Sequence, residues 1–315
     1  MLRRCFGFLT IALTLGSTAY GQVKLEYKIT EGAVDNVQNS TKLHQLMTIM
    51  GMDVETNSEN SSTTSVATGK RKSDGTLPFE FTIKNVKIKS TLPGGVELNL
   101  DSDDKDAKVD IPQLAFLADM IKVLKNSSYT IVVDDKNKFK VVEGAEKNIE
   151  KAAALPKQVV DGLKTRFEND RIKKDYEQAY GNLPEGLVRE GETWERTETD
   201  DIGSGQTFTI KRKYEYKGTE KKGSKTLDKI AIKALDVTYS LSPNAELPVK
   251  VTKSELKIES SEGTILFDRE LGTIVSKSEK TRIKGDMAMT INGQELPVKL
   301  DLTIDTNTTN ERSSK

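Results

Sequence analysis

One cysteine, one histidine and one tryptophan are spread over 315 residues. The cysteine, Cys5, opens an apolar run that ends at Leu15, inside what reads as a leader. The rest of the chain therefore has no disulfides, thiol catalysis or cysteine-ligated metal. A lone histidine, His44, completes neither a zinc site nor a catalytic triad. No phosphate-binding glycine loop and no serine nucleophile elbow occurs. Beyond residue 21 no apolar run approaches the roughly 20 residues that span a bilayer, so no integral membrane helix is expected. Charge of either sign is not in excess, with 48 basic and 48 acidic residues. That balance leaves no electrostatic footprint for nucleic acid. No enzyme activity, cofactor or metal is predicted.

What is present begins with the leader. Met1-Leu2-Arg3-Arg4 is basic, the run to Leu15 is apolar, and Gly16 to Gly21 is small and polar around Ala19-Tyr20-Gly21. This order predicts a secretory signal cleaved after Gly21 and an exported, periplasmic or extracellular bacterial protein. Cys5 lies at the start of the apolar run and not at the cut that follows it, so it cannot anchor lipid. The 315 residues less those 21 leave 294, enough to build a core without disulfides. The 48 basic residues less Arg3 and Arg4 leave 46 against 48 acidic ones, a net charge of −2.

Period-2 alternation dominates the remainder. Ile283, Gly285, Met287, Met289 and Ile291 alternate with polar residues up to Asn292-Gly293. Leu296, Val298, Leu300, Leu302 and Ile304 then alternate on the far side. Two such runs about Asn-Gly predict a hairpin, because both turn residues tolerate positive φ. Phe208, Ile210, Tyr214 and Tyr216 share one face, and the run from Leu227 to Leu241 slips phase near Ala234-Leu235. A slip by one reverses the faces unless a bulge absorbs it, so a bulge is expected there. Weaker strands are expected at 25–29, 43–54, 79–88, 96–100, 129–133 and 139–142. Residues 55–76 are polar and read as a hairpin tip or an edge strand, and the tail 307–315 as disordered.

Two segments carry helical spacing instead. Ile111 to Leu124 has Pro112 in its first turn. Ala145 to Tyr180 is longer and is divided by Pro156, leaving a helix over about 157–180 with Val159, Leu163, Phe167 and Ile172 on one side. At 1.5 Å per residue such a helix is about 35 Å long, enough to cross a sheet from edge to edge.

Candidate chemistry is thin. Asp101, Asp103, Asp104, Asp106 and Asp110 follow a strand, but the calcium-loop glycine and closing glutamate are missing, which leaves a solvated turn. Glu185, Glu190, Glu192 and Glu195 lie too close together around Trp194 to serve as an acid/base pair across a sugar. The more telling feature is the apolar stripe Met287, Met289, Ile291, Leu296, Val298 and Leu300. It reads first as core and second as a ligand-facing wall, since methionine suits adaptable apolar surfaces.

Two stretches carry a resemblance. Leu183 to Trp194 reads Pro184-x-x-x-Val188-x-x-Gly191-Glu192-x-Trp194, and Gly263 to Gly272 reads Gly263-x-x-x-Phe267-Asp268-x-x-x-Gly272. Together they resemble a family of uncharacterised exported bacterial proteins, which implies no activity and no catalytic residues. Their physical reading is structural. Trp194 plugs a sheet–helix interface and needs a partner for its N–H. Asp268 caps a turn beside an inward Phe267, and Gly272 closes it. In layout the chain is also similar to the half-barrels of periplasmic lipoprotein carriers.

The expected architecture is β-rich α+β: one domain over 22–306, a curved antiparallel sheet of long strands with a long helix on its apolar face. Two function classes follow. One is a binding or carrier module for an apolar or amphipathic, lipid-like molecule. The other is a non-catalytic structural or protein-interaction module of the envelope. An open cavity of several hundred Å³ between sheet and helix would favour the first.

Overall fold

A computed structural model describes residues 21–104, 109, 111, 114–203, 206–241, 249–291 and 294–313. The expected leader, Pro112, Asp106, Asp110 and the turn Asn292-Gly293 lie outside them. After the short β1 (Val23–Lys24) come β2 (Val34–Ile49), β3 (Met52–Thr68), β4 (Leu77–Leu92) and β5 (Val96–Asp101). Helix α1 (Phe116–Leu124) precedes β6 (Ser128–Val133) and β7 (Phe139–Glu143). Helices α2 (Glu146–Lys151), α3 (Lys157–Arg166) and α4 (Asn169–Tyr180) follow. The second half is all strand: β8 (Leu187–Val188), β9 (Thr193–Gly203), β10 (Gln206–Lys222), β11 (Lys225–Leu241), β12 (Val249–Asp268), β13 (Thr273–Ile291) and β14 (Gln294–Ser313).

Twelve of these strands form one antiparallel sheet in the order β7-β6-β4-β3-β2-β14-β13-β12-β11-β10-β9, with β5 paired to β4. The sheet is open. Strands β1 and β8 make a separate pair. Among the described residues no helix is long and apolar enough to cross a membrane.

The C-terminal hairpin forms in the expected register, Ile283 opposite Leu302 and Met287 opposite Val298. Its apolar stripe includes Gly285 because β12 passes too close for anything larger: a Cβ there would fall on the Glu255 carbonyl oxygen. The phase slip in β11 is a bulge. Lys211 pairs with Asp236 and Arg212 with Ala234, so Leu235 is the extra residue and turns outward.

Five expectations are corrected. The helix over 157–180 is two helices. It breaks at Phe167–Glu168, where Glu168 is extended at φ −63°, ψ 140°. No glycine or proline marks the break. It redirects the chain so that Leu163 of α3, Phe167 just past its end, and Ile172 and Tyr176 of α4 all enter one core with Phe79 and Ile131. The polar stretch 55–76 is neither tip nor edge. Residues 55–68 belong to β3, an inner strand paired on both sides, and the hairpin turn lies earlier, at Met50-Gly51, both at positive φ. The strand expected over 43–54 is thereby split between β2 and β3. The tail is ordered through Ser313, pairing along β2, and Arg312 forks onto Asp35 at 2.9 and 3.0 Å. Finally, 25–29 is not a strand; Leu25 is buried, but only Val23–Lys24 pairs, with β8.

Candidate functional site

Strand twist curls the sheet until its two edges approach each other, and α4 spans the gap. At one end Asn169 Oδ1 accepts the N–H of Val142 on edge strand β7 (3.1 Å). At the other the Gln178 amide pairs with both backbone groups of Thr199 on edge strand β9: Nε2 donates to the carbonyl (3.1 Å) and Oε1 accepts the N–H (2.6 Å). A 12-residue helix is about 18 Å long. It satisfies backbone groups that exposed edges would otherwise offer to another chain.

Beneath α4 lies a cavity of about 600 Å³. Its roof carries Phe167, Ile172, Tyr176 and Tyr180. Its floor crosses β6, β4, β3, β2, β14 and β13. Phe81 stacks flat on Tyr129 at 5.1 Å, while Tyr180 meets Tyr27 at 4.8 Å and Tyr176 at 4.5 Å. Burial pushes the phenols of Tyr27, Tyr129, Tyr176 and Tyr180 well above their ordinary value, so the aromatic wall is neutral at any physiological pH. Tyr27 donates to the Ala179 carbonyl and Tyr176 to that of Asn137, which spends two of the hydroxyls on the frame.

A polar belt separates this cavity from the far end of the sheet. Arg212, only 6% exposed, reaches Glu279 (2.9 Å), Glu198 (3.0 Å) and Asp200 (2.8 Å). Burial alone would lower the guanidinium pKa, but the three carboxylates together raise it. Tyr214 hydrogen-bonds Glu198 and lies 3.1 Å from Asn182 Oδ1.

The stripe singled out from the sequence lies across the belt, away from the cavity. Met287, Val298 and Leu300 are buried against Phe208, Ile210 and Val237, with Met289 packed on the margin and Leu296 half-buried beside it. Ile291 is described only in its backbone, which pairs with Gln294. None of the other five lines the cavity. The reason is that β11 pairs with β12 only over Asp228–Ile232 and Gly263–Phe267. Beyond that the two strands part, and β10–β11 fold over β13–β14 and cover the stripe.

Trp194 stacks on Tyr214 at 5.7 Å and donates Nε1–H to the Asn182 carbonyl just past α4 (3.0 Å). Phe267 is fully buried, and Asp268 Oδ1 accepts the Leu271 N–H (3.0 Å) across the turn. Gly272 stands at φ +62°, and a Cβ there would strike Lys28, whose N–H donates to the Gly272 carbonyl. Phe267 and Trp194 belong to a core that Tyr27 shares with the cavity wall, and Gly272 is itself part of the lining. His44 is on the convex face, 2.7 Å from Asn57 Oδ1. Asp101 and Asp103 are held by Asn85, Lys87 and Lys125.

The cavity-lining residues Asp35, Asn39, Thr308, Asn310 and Arg312 were invisible to hydrophobic patterning. Their only signal was period 2 itself, carried by polar residues.

Residues 74–274 match the profile described as "Family of unknown function (DUF6263)". The chain belongs to this family. Both sequence stretches that carried the resemblance, 183–194 and 263–272, fall inside the matched region. No curated protein matches the chain. Among solved structures, the chain is similar to a lipovitellin described for its lipid–protein interactions (9% identity, TM-score 0.42, 91% of this chain and 26% of that one). It thus spans about a quarter of the lipovitellin chain. It is also similar to an exported protein with a YmcC-like fold from Bacteroides fragilis NCTC 9343 (9% identity, TM-score 0.24, 92% and 99% covered). A third is an outer membrane channel from Pseudomonas putida F1 (8% identity, TM-score 0.23, 91% and 98% covered).

Proposed function

We propose that this protein is exported, loses its leader after Gly21, and binds one apolar or amphipathic molecule in the cavity beneath α4. The observation that carries this reading is the cavity itself. At about 600 Å³ it falls within the roughly 300–1,000 Å³ typical of small-molecule sites, and its wall combines aromatic and aliphatic side chains with polar and charged ones, as an amphipathic occupant requires. A roof made of one short helix, fixed at each end by side-chain amides, suits a site that must admit and release its occupant. The role is binding without chemistry: the cavity carboxylates Asp35 and Asp175 are engaged by Arg312 and Arg171, and His44 is on the opposite face.

Native mass spectrometry of protein purified from its own envelope tests the reading. A bound mass of lipid size is expected, on a chain whose N-terminus begins at Gln22. A protein that carries no such mass, and that also fails to take up an apolar dye such as Nile red, is not a carrier. Intact Met1 on the envelope protein would refute the export reading.

A further inference from the structure

The cavity is zoned along the strand order. Over β4 and β6 its floor is Phe79, Phe81 and Ile131, under Phe167 and Ile172. Over β14 and β13 it is mainly polar, with Thr308, Asn310, Arg312, Thr273 and Lys277 around a single aliphatic residue, Ile274. One end is therefore built for hydrocarbon and the other for a polar group.

The charges at the polar end do not cancel. Asp35 is spent on Arg312, and Asp175 on Arg171. Lys277 is in no ion pair among the described residues; its ammonium has a single long contact, 3.5 Å to Asn182 Oδ1, an oxygen that already faces the Tyr214 hydroxyl. Beside it, Asn310 Oδ1 is the one buried side-chain polar atom among the described residues that lacks a hydrogen-bond partner. The other end of that amide donates to Thr273 Oγ1 (3.1 Å). The amide can equally sit the other way round, with the Thr273 hydroxyl donating to its oxygen and its NH₂ left without a partner. Asn310 lines the cavity, and either way one end of its amide is buried without a partner, which is costly. Thr308 is directly opposite Lys277, and Asn310 is the next residue along β14 on the same face. Such diagonal neighbours lie about 7–8 Å apart, a distance that one head group can bridge.

Resting on the binding reading above, we propose that the occupant is a single-chain amphiphile with an acidic head. Its chain lies over β4 and β6, and its head lies between the Lys277 ammonium and the Asn310 amide. Size supports one chain: about 600 Å³, at roughly 30 Å³ per water-sized group, holds about 20 non-hydrogen atoms. That suits a fatty acid and is too small for a two-chain lipid.

The test is competition against Nile red by hexadecanoic acid and by the matching primary alcohol, at neutral pH and low salt. Wild type should bind the acid about tenfold more tightly than the alcohol, the scale of one partly screened ion pair. Lys277→Gln should erase that preference, and Lys277→Arg should restore it. Arg166→Gln, which removes a cation from the exposed rim at the end of α3, should keep the preference. Equal displacement by acid and alcohol in wild type would overturn the acidic-head proposal while the binding reading stands; this comparison needs no variant. Loss of the preference in Arg166→Gln but not in Lys277→Gln would overturn the placement of the head. If neither compound displaces the dye, the binding reading falls and this proposal with it.

Discussion

The two ends of the concave face are roofed differently. Over β4 and β6 the roof is helical, and a rigid cylinder laid across a curled sheet leaves space: the cavity. Over the hairpin end of β13 and β14, from Ile283 and Leu302 onward to the turn, the roof is the sheet itself, because β10 and β11 fold across once they part from β12. Two pleated surfaces interdigitate, and Phe208, Ile210, Leu300 and Leu302 fill the gap. Between the two lies the belt around Arg212. Apolar side chains face inward at both ends, so hydrophobicity alone does not decide which end binds. What covers the face decides it.

The belt offers the largest effect with which to break this comparison. Arg212→Met leaves Glu198 and Glu279 buried without their cation, and should cost about 3–5 kcal/mol in urea unfolding. A loss below about 1 kcal/mol would mean that water reaches the carboxylates, and the belt would not divide the face. Next is the filled end. Leu300→Ala should cost about 2–5 kcal/mol and leave Nile red binding unchanged. Met289→Gln, at the half-buried margin, should cost about 1–3 kcal/mol with binding equally unaffected. Lost dye binding in either variant, with stability intact, would move the site to this end.

The helical roof gives a smaller effect on stability and a larger one on exchange. Gln178→Ala frees both backbone groups of Thr199 and should cost about 1–2 kcal/mol. Stopped-flow dilution should show faster release of Nile red; an unchanged rate would mean that α4 does not gate the cavity. The smallest effect lies outside both ends. The Lys87 ammonium, helped by the Asp103 N–H, holds the Asp101 carboxyl down to about 2. Its folded pKa is below the unfolded value of about 3.9, so its stabilisation is present above about pH 4 and is lost as the pH falls through about 2. Carboxyl NMR titration should find the low value in wild type and a rise in Lys87→Gln, with the cavity unaffected.

Legibility followed chemistry. Strands that bury leucine, valine or isoleucine on one face announced themselves, as 283–304 did, down to the bulge at Leu235. Strands whose inner face lines a partly polar cavity did not. Asn307 to Arg312 reads as a tail because Thr308, Asn310 and Arg312 face the cavity and not a core, and the same holds for Thr64 and Thr68 in β3. The break between α3 and α4 has no glycine or proline to mark it. The turn at Met50-Gly51 lacks the asparagine that would have revealed it.

The sequence by itself determined the period of each strand, the register of the last hairpin, the turn at Gly272 and the need of Trp194 for a partner. These are local properties, set by side-chain alternation, turn chemistry and one indole N–H. Only the tertiary structure decided where the open space lies. Sheet curl brought the edges within reach of a 12-residue helix, and the parting of β11 from β12 closed the other end. Both depend on strands far apart in the chain, and no local pattern encodes them.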